Sequence, residues 1–202
     1  MIDSKNNEKA KNIFLSKGGI LRTKEAIQAG IHPRTLYELL DKGIIERLSR
    51  GLYRLANLKP LESPDLVSVS KRVPEGVFCL ISALAFFEMT TQIPHEIYLA
   101  VERNSRPPNI DYPPVRVFRF NKEAFNEGVE TYTVDGYPLR IYTPEKTLVD
   151  CFKYRNKIGM DTVIEALKLY GERKKVKVNE LMRYAKICRV EKVMKPYLES
   201  VI

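Results

Sequence analysis

TKEAIQAGIHPRTLYELLDKGIIERLSRGLYRL, residues 23–55, reads as a helix, a tight turn, a second helix and a small β-hairpin. Thr23 is placed to cap a short helix over Lys24–Ala29, with Glu25 in the first turn where the helix dipole favours a carboxylate. Gly30 suits the left-handed residue that ends such a helix, Ile31 and His32 complete the turn, and Pro33 takes the first helical position. In the second helix, Pro33–Lys42, 100° spacing gathers Leu36, Leu39 and Leu40 on one side. Arg34, Thr35, Glu38, Asp41 and Lys42 fall on the other, flanked by Tyr37. Gly43 stops it. IIERL, the turn Ser49-Arg50-Gly51 and LYRL then form a hairpin with a three-residue, glycine-closed loop.

This order predicts a winged helix-turn-helix, whose second helix enters the DNA major groove with its N-terminal residues at the base edges. An ordinary αα-hairpin with a hairpin appended would show Glu and Lys mixed over its exposed face. Here His32, Arg34 and Thr35 lead and the acids come later, while Arg47, Arg50 and Arg54 crowd the hairpin where phosphates would lie. His32 serves either as a cap or as a phosphate contact.

The 202 residues suffice for one large domain or two small ones, and 44% hydrophobic with 29% charged residues is an ordinary globular balance. A net charge of +9 points to an anionic partner, most simply nucleic acid. The charge is unevenly spread: residues 1–58 carry net +5, 59–152 net −3 and 153–202 net +7. Cys79, Cys151 and Cys188 are odd in number and far apart, which predicts buried thiols in a reducing cytoplasm rather than disulfides or zinc. The polar start MIDSKNNEKAKN is no signal peptide, and the most apolar run, Val77–Phe87, is too short to span a bilayer and reads as a buried helix.

Outward from the hairpin, residues 5–16 predict a first helix and Ile20-Leu21 a short strand. The expected fold is α+β: a winged helix-turn-helix over 1–56, a proline-bearing linker over 57–64, and a second α+β domain over 65–202. That domain carries helices at DLVSVSKRV and VFCLISALAFFEM, strands at Glu96–Arg103 and Val115–Phe120, and a hairpin around Asp135-Gly136. From Thr143 the pattern is helical, with Thr143 capping, Pro144 first and Glu145 in the first turn. The sheet is expected to be small and mostly antiparallel, with several helices around it.

RTLYELLDKGIIERLSRGLYRL, FCLISALAFFEMTTQIPHEIYLAVERNSRPP, TPEKTLVDCFKYRNKIGMDTVIEAL, LMRYAKICRV and MKPYLE together resemble the AbiEi-like antitoxins, also described as predicted transcriptional regulators of viral (phage) defence systems. The resemblance covers nearly the whole chain; the stretch around DCFKYRNKIG is its most specific part. It implies a bacterial type IV toxin–antitoxin (abortive infection) system. In that family the winged helix binds inverted repeats in double-stranded DNA of its own promoter, and the second domain counters a nucleotidyltransferase-like toxin without a tight, obligatory complex. Carried onto this chain, the DNA role places Arg34, Thr35, Tyr37 and Glu38 near bases and Arg47, Ser49, Arg50 and Arg54 on the backbone, with His32 and Lys42 beside them.

The residues call for no cofactor, metal or catalysis: His32 and His95 lack partners at metal spacing, and no HExxH, P-loop or GxSxG occurs. The enzyme alternative is a nuclease-like second domain targeted by the winged helix. For it, Glu172-Arg173-Lys174 offers only an isolated acid-x-lysine pair, and Asp150 reads as a cap or a partner of Lys153 or Arg155. The basic residues Lys153, Arg155, Lys157, Arg173, Lys174, Lys175 and Lys177 are a solvated helix face, an extra phosphate track, or a surface toward the toxin.

Overall fold

The computed structural model describes residues 2–173 and 175–201. The chain divides into two compact units, residues 1–72 with 110–113, and residues 73–109 with 114–202. The first contains α1 (Ile2–Ser16), β1 (Ile20–Arg22), α2 (Thr23–Gln28), α3 (Pro33–Asp41), β2 (Ile45–Ser49), β3 (Leu52–Leu55) and α4 (Pro64–Arg72). Ala10 and Phe14, one turn apart on α1, meet Ala26, Ile31, Leu36 and Leu39 in a core closed by Leu21, Tyr53 and Leu55. The strands form an antiparallel sheet in the order β1-β3-β2.

Two local details differ from expectation. Thr23 does not cap α2. The Glu25 carboxylate does that work, accepting from the Arg22 backbone N–H at 2.8 Å, while the Thr23 hydroxyl donates to the Gly51 carbonyl at 3.4 Å. The hairpin loop is also shorter: Ser49 pairs with Leu52, leaving Arg50 and Gly51 as the loop, and the register shifts between Arg47 and Ser49. Gly51 takes φ +72°, which only glycine adopts at no steric cost. The extra residue at the shift is a bulge, and it moves Ser49 to the opposite face of the hairpin from Arg47.

The helix at Pro64–Arg72, expected to open the second domain, packs on the first unit instead. Its Ser68 hydroxyl lies 3.2 Å from that of Ser49, and the Arg72 guanidinium donates to Ser49 Oγ at 3.2 Å and to the Arg50 carbonyl. The boundary therefore falls after Arg72 rather than along residues 57–64.

The second unit comprises β4 (Val77–Phe78), α5 (Leu80–Phe86), β5 (Ile97–Glu102), β6 (Val115–Phe120), α6 (Lys122–Asn126), β7 (Val129–Val134), β8 (Tyr137–Tyr142), α7 (Pro144–Lys153), α8 (Arg155–Ile158), α9 (Met160–Gly171), α10 (Val178–Cys188) and α11 (Glu191–Val201). The apolar run at 77–87 is not one helix: Val77 and Phe78 are taken into the sheet, between β5 and β8. The sheet order is β6-β5-β4-β8-β7. It is mixed rather than mostly antiparallel, since β5/β6 and β4/β8 pair in parallel. Parallel pairing of consecutive strands needs a long return, and the stretch 103–114 supplies one.

Helix α7 is the centre of this unit. Thr143 caps it, accepting from Lys146 N–H at 3.3 Å, and Glu145 through Phe152 are all buried. Lys146 and Asp150, one turn apart and wholly buried, pair at 2.5 Å. The ammonium sits 4.2 Å from the Tyr142 ring centroid and 4.9 Å from that of Phe120, and Cys188 Sγ lies 3.5 Å from the second Asp150 oxygen. Asp150 is thus partnered by Lys146 and Cys188, not by Lys153 or Arg155.

Cys79, Cys151 and Cys188 are free and buried. Burial pushes the Cys188 thiol up to about 12 and raises Cys79 and Cys151 as well. With so little thiolate, none should react with a disulfide reagent at pH 8 in the native protein, and all three should react in guanidinium. Native-state labelling within minutes would contradict this packing.

Candidate nucleic-acid interface

The α2–α3 pair is set by its turn. Gly30, at φ +92°, ends α2, and Ile31 N–H returns to the Ala26 carbonyl at 3.0 Å. His32 then caps α3: its Nδ1 accepts from the Arg34 backbone N–H at 3.2 Å. The ring itself is exposed, and Nδ1 is the atom that the cap occupies. Of the two roles expected for His32, the cap is the one seen in the geometry.

Helix α3 buries Leu36 and Leu39 and exposes Arg34, Tyr37 (61%), Asp41 and Lys42, with Thr35 and Glu38 half-buried. Arg34 Nε bonds Glu38 Oε1 at 3.1 Å, one turn along the helix. This pair is exposed, so it orients the guanidinium more than it stabilises the fold. Sequence reading anticipates this outward group of side chains correctly because it depends only on helical periodicity.

The hairpin departs from expectation. Arg47 and Arg50 are exposed, and Arg50 lies 3.5 Å from Asp111, a residue of the same unit far along the chain. Nothing local in the sequence announces that partner. Arg54, expected on phosphates, is buried. Its terminal nitrogens donate to Glu46 at 2.7 Å and to the Lys59 carbonyl, and its Nε has no partner. Ser49 is buried as well, against Ser68 and Arg72. Strand parity is the reason. Arg47 pairs with Tyr53 on the face toward the core helices, so Arg54, the next residue, points to the back of the sheet, where the bulge also sends Ser49. The register of the hairpin, had it been fixed first, would have given this away.

The second basic region engages separate partners. Lys153 and Lys157 lie over the rings of Phe120, Phe118 and Tyr154, and Arg155 donates to the Phe152 carbonyl at 2.8 Å. Arg173 donates to the Phe87 carbonyl, and Lys177 lies 3.9 Å from Glu145. Lys175 is exposed, and Lys174 lies outside the described residues. Among the described residues no group of three or more His, Cys, Asp or Glu is placed to hold a metal, and no helix is long and apolar enough to cross a membrane.

Residues 8–56, from the middle of α1 through the hairpin, match the sequence model of the family described as "Transcriptional regulator, AbiEi antitoxin". Over that segment the resemblance read from the sequence is borne out. No curated protein matches the chain. The crystal structure of the RV2827C protein from Mycobacterium tuberculosis is similar in fold, with a TM-score of 0.62 over 88% of this chain and 69% of that one, at 15% identity. At that identity the likeness concerns the fold alone.

Proposed function

We propose that this chain is a DNA-binding transcriptional autorepressor and the antitoxin of a type IV toxin–antitoxin system. The observation that carries the DNA role is α3, which with its cap residue exposes His32, Arg34 and Tyr37 beside the half-buried Thr35, within the segment that matches a family of transcriptional regulators. In this reading the first unit is a winged helix-turn-helix. α3 enters the major groove of double-stranded DNA, Arg34, Thr35, Tyr37 and Glu38 meet base edges, and the β2–β3 hairpin is the wing. Arg47, Arg50 and Lys42 meet phosphates, with His32 beside them; Ser49 and Arg54 leave that set because they are buried. Two copies bind inverted repeats in the chain's own promoter. The second unit counters a nucleotidyltransferase-like toxin without a stable complex, in the cytoplasm, as an abortive defence against phage.

The test is binding to the chain's own upstream DNA against scrambled DNA across a salt series. Preference that persists at about 150–200 mM salt is expected, because non-specific phosphate binding fades there. Equal binding that vanishes with salt would overturn the repressor role. Arg34→Ala should relax selectivity at one base position by roughly 1–3 kcal/mol and leave scrambled DNA nearly unaffected. In cells carrying the neighbouring toxin, Arg34→Ala should still rescue growth, since it leaves the second unit intact; failure of the unaltered chain to rescue would remove the antitoxin role.

A further inference from the structure

We infer that the outer face of α1 is a second phosphate-binding track, which follows the DNA backbone alongside the groove that α3 enters. This rests on the DNA-binding reading above and adds to it residues that α3 and the hairpin do not supply. Lys5, Lys9, Asn12 and Ser16 recur at helical spacing along the side of α1 opposite the buried Ala10 and Phe14. Two depressions meet on this face. One, of about 580 Å³, is lined by Lys5, Asn6, Lys9, Asn12, Ile13 and Ser16. The other, of about 130 Å³, shares Asn6, Lys9 and Ile13 and continues to Gly30, His32 and Thr35 at the start of α3. The two depressions together connect α1 to the residues proposed to meet the bases, with Lys5 and Lys9 in their lining.

Several arginines of the unit are already committed to carboxylates. Arg22 pairs with Glu25, Arg34 with Glu38, Arg50 with Asp111 and Arg54 with Glu46. Lys5 and Lys9 are exposed and make no ion pair among the described residues. Glu8, the nearest acid in sequence, lines neither depression. Flexible ammonium groups flanked by amide donors, with no acceptor of their own, suit phosphate oxygens, which need charge and donors but no fixed planar geometry. Such contacts fix register on the duplex and carry no base preference.

The experiment compares the full chain with Lys5→Gln/Lys9→Gln on the upstream duplex and on a scrambled duplex of equal length, measuring affinity against salt. A second variant, Lys186→Gln/Lys192→Gln on α10 and α11, makes the same change in net charge elsewhere. The α1 variant should lose roughly 1.8 in the slope of log K against log salt, about 0.9 per phosphate, equally on both duplexes. The α10–α11 variant should keep the unaltered slope. An unchanged slope in the α1 variant, or an equal loss in both variants, overturns the track while leaving the repressor reading standing. Absence of duplex binding by the unaltered chain at low salt overturns both.

Discussion

Asp150→Ala is expected to cost the second unit about 3–5 kcal/mol, the usual penalty for removing one partner of a buried ion pair. The Lys146 ammonium would be left with no carboxylate at a wholly buried site, facing the Tyr142 and Phe120 rings. Urea unfolding followed by circular dichroism measures this. The double variant Lys146→Met/Asp150→Leu should recover most or all of the loss, because replacing both charges by apolar groups of similar volume is often neutral or stabilising. A single variant within about 1 kcal/mol of the unaltered protein would contradict a buried charged pair. If the single variant fails to fold, a folded double variant still decides the matter.

The same pair gives a pH dependence. Burial raises the Asp150 carboxyl above its ordinary 3.8, and the adjacent Lys146 pulls it back. In Lys146→Met the counter-charge is gone, so the folded state holds the Asp150 proton more tightly than the unfolded one. A carboxyl raised on folding contributes stability that is fully present below its unfolded value and lost as pH rises through the folded one. The stability gap between unaltered protein and Lys146→Met should therefore widen as pH rises from about 4 to 8. A gap that stays constant over this range would mean the carboxyl is solvated.

Arg54→Ala should destabilise the first unit by about 1.5–3 kcal/mol, since it removes charge-assisted bonds to Glu46 and to the Lys59 carbonyl from a buried position. For a unit of this size that is a fall in melting temperature of roughly 6–24 °C. At temperatures well below the melt, DNA affinity and its salt slope should stay as they were. Arg50→Ala should do the opposite, keeping the melting temperature and losing roughly 0.9 in slope, because Arg50 is exposed at the hairpin tip. Should Arg54→Ala melt normally and lose slope, the guanidinium reaches phosphate in solution and the back of the hairpin is open.

These contrasts mark where sequence reading succeeds. Elements set by a few adjacent residues were legible: His32 and Pro33 starting α3, Thr143 and Pro144 starting α7, and Asp135-Gly136 turning β7 into β8 with both residues at positive φ. Cap and turn chemistry act within three or four residues, so the chain carries them openly. The outward side of α3 was legible for the same reason, since periodicity alone sorts its leucines from its polar residues.

The sequence by itself thus determined the order of elements, the faces of the long helices and the segment matched by a regulator family. Only the tertiary structure decided which charges are free to act. Arg47 and Arg54 look alike in the sequence, yet strand parity puts them on opposite faces of the hairpin, where Arg47 stays exposed and Arg54 is buried against Glu46 and the Lys59 carbonyl. Val77-Phe78 continues an apolar helical run in the sequence, yet open ladder positions on β5 and β8 draw it into the sheet. Lys146 and Asp150 look like an ordinary surface pair at i, i+4, yet packing on every side of α7 buries them. A side chain's burial and its partners are set by whatever surface lies opposite, often many residues away, and spacing along one element does not encode that.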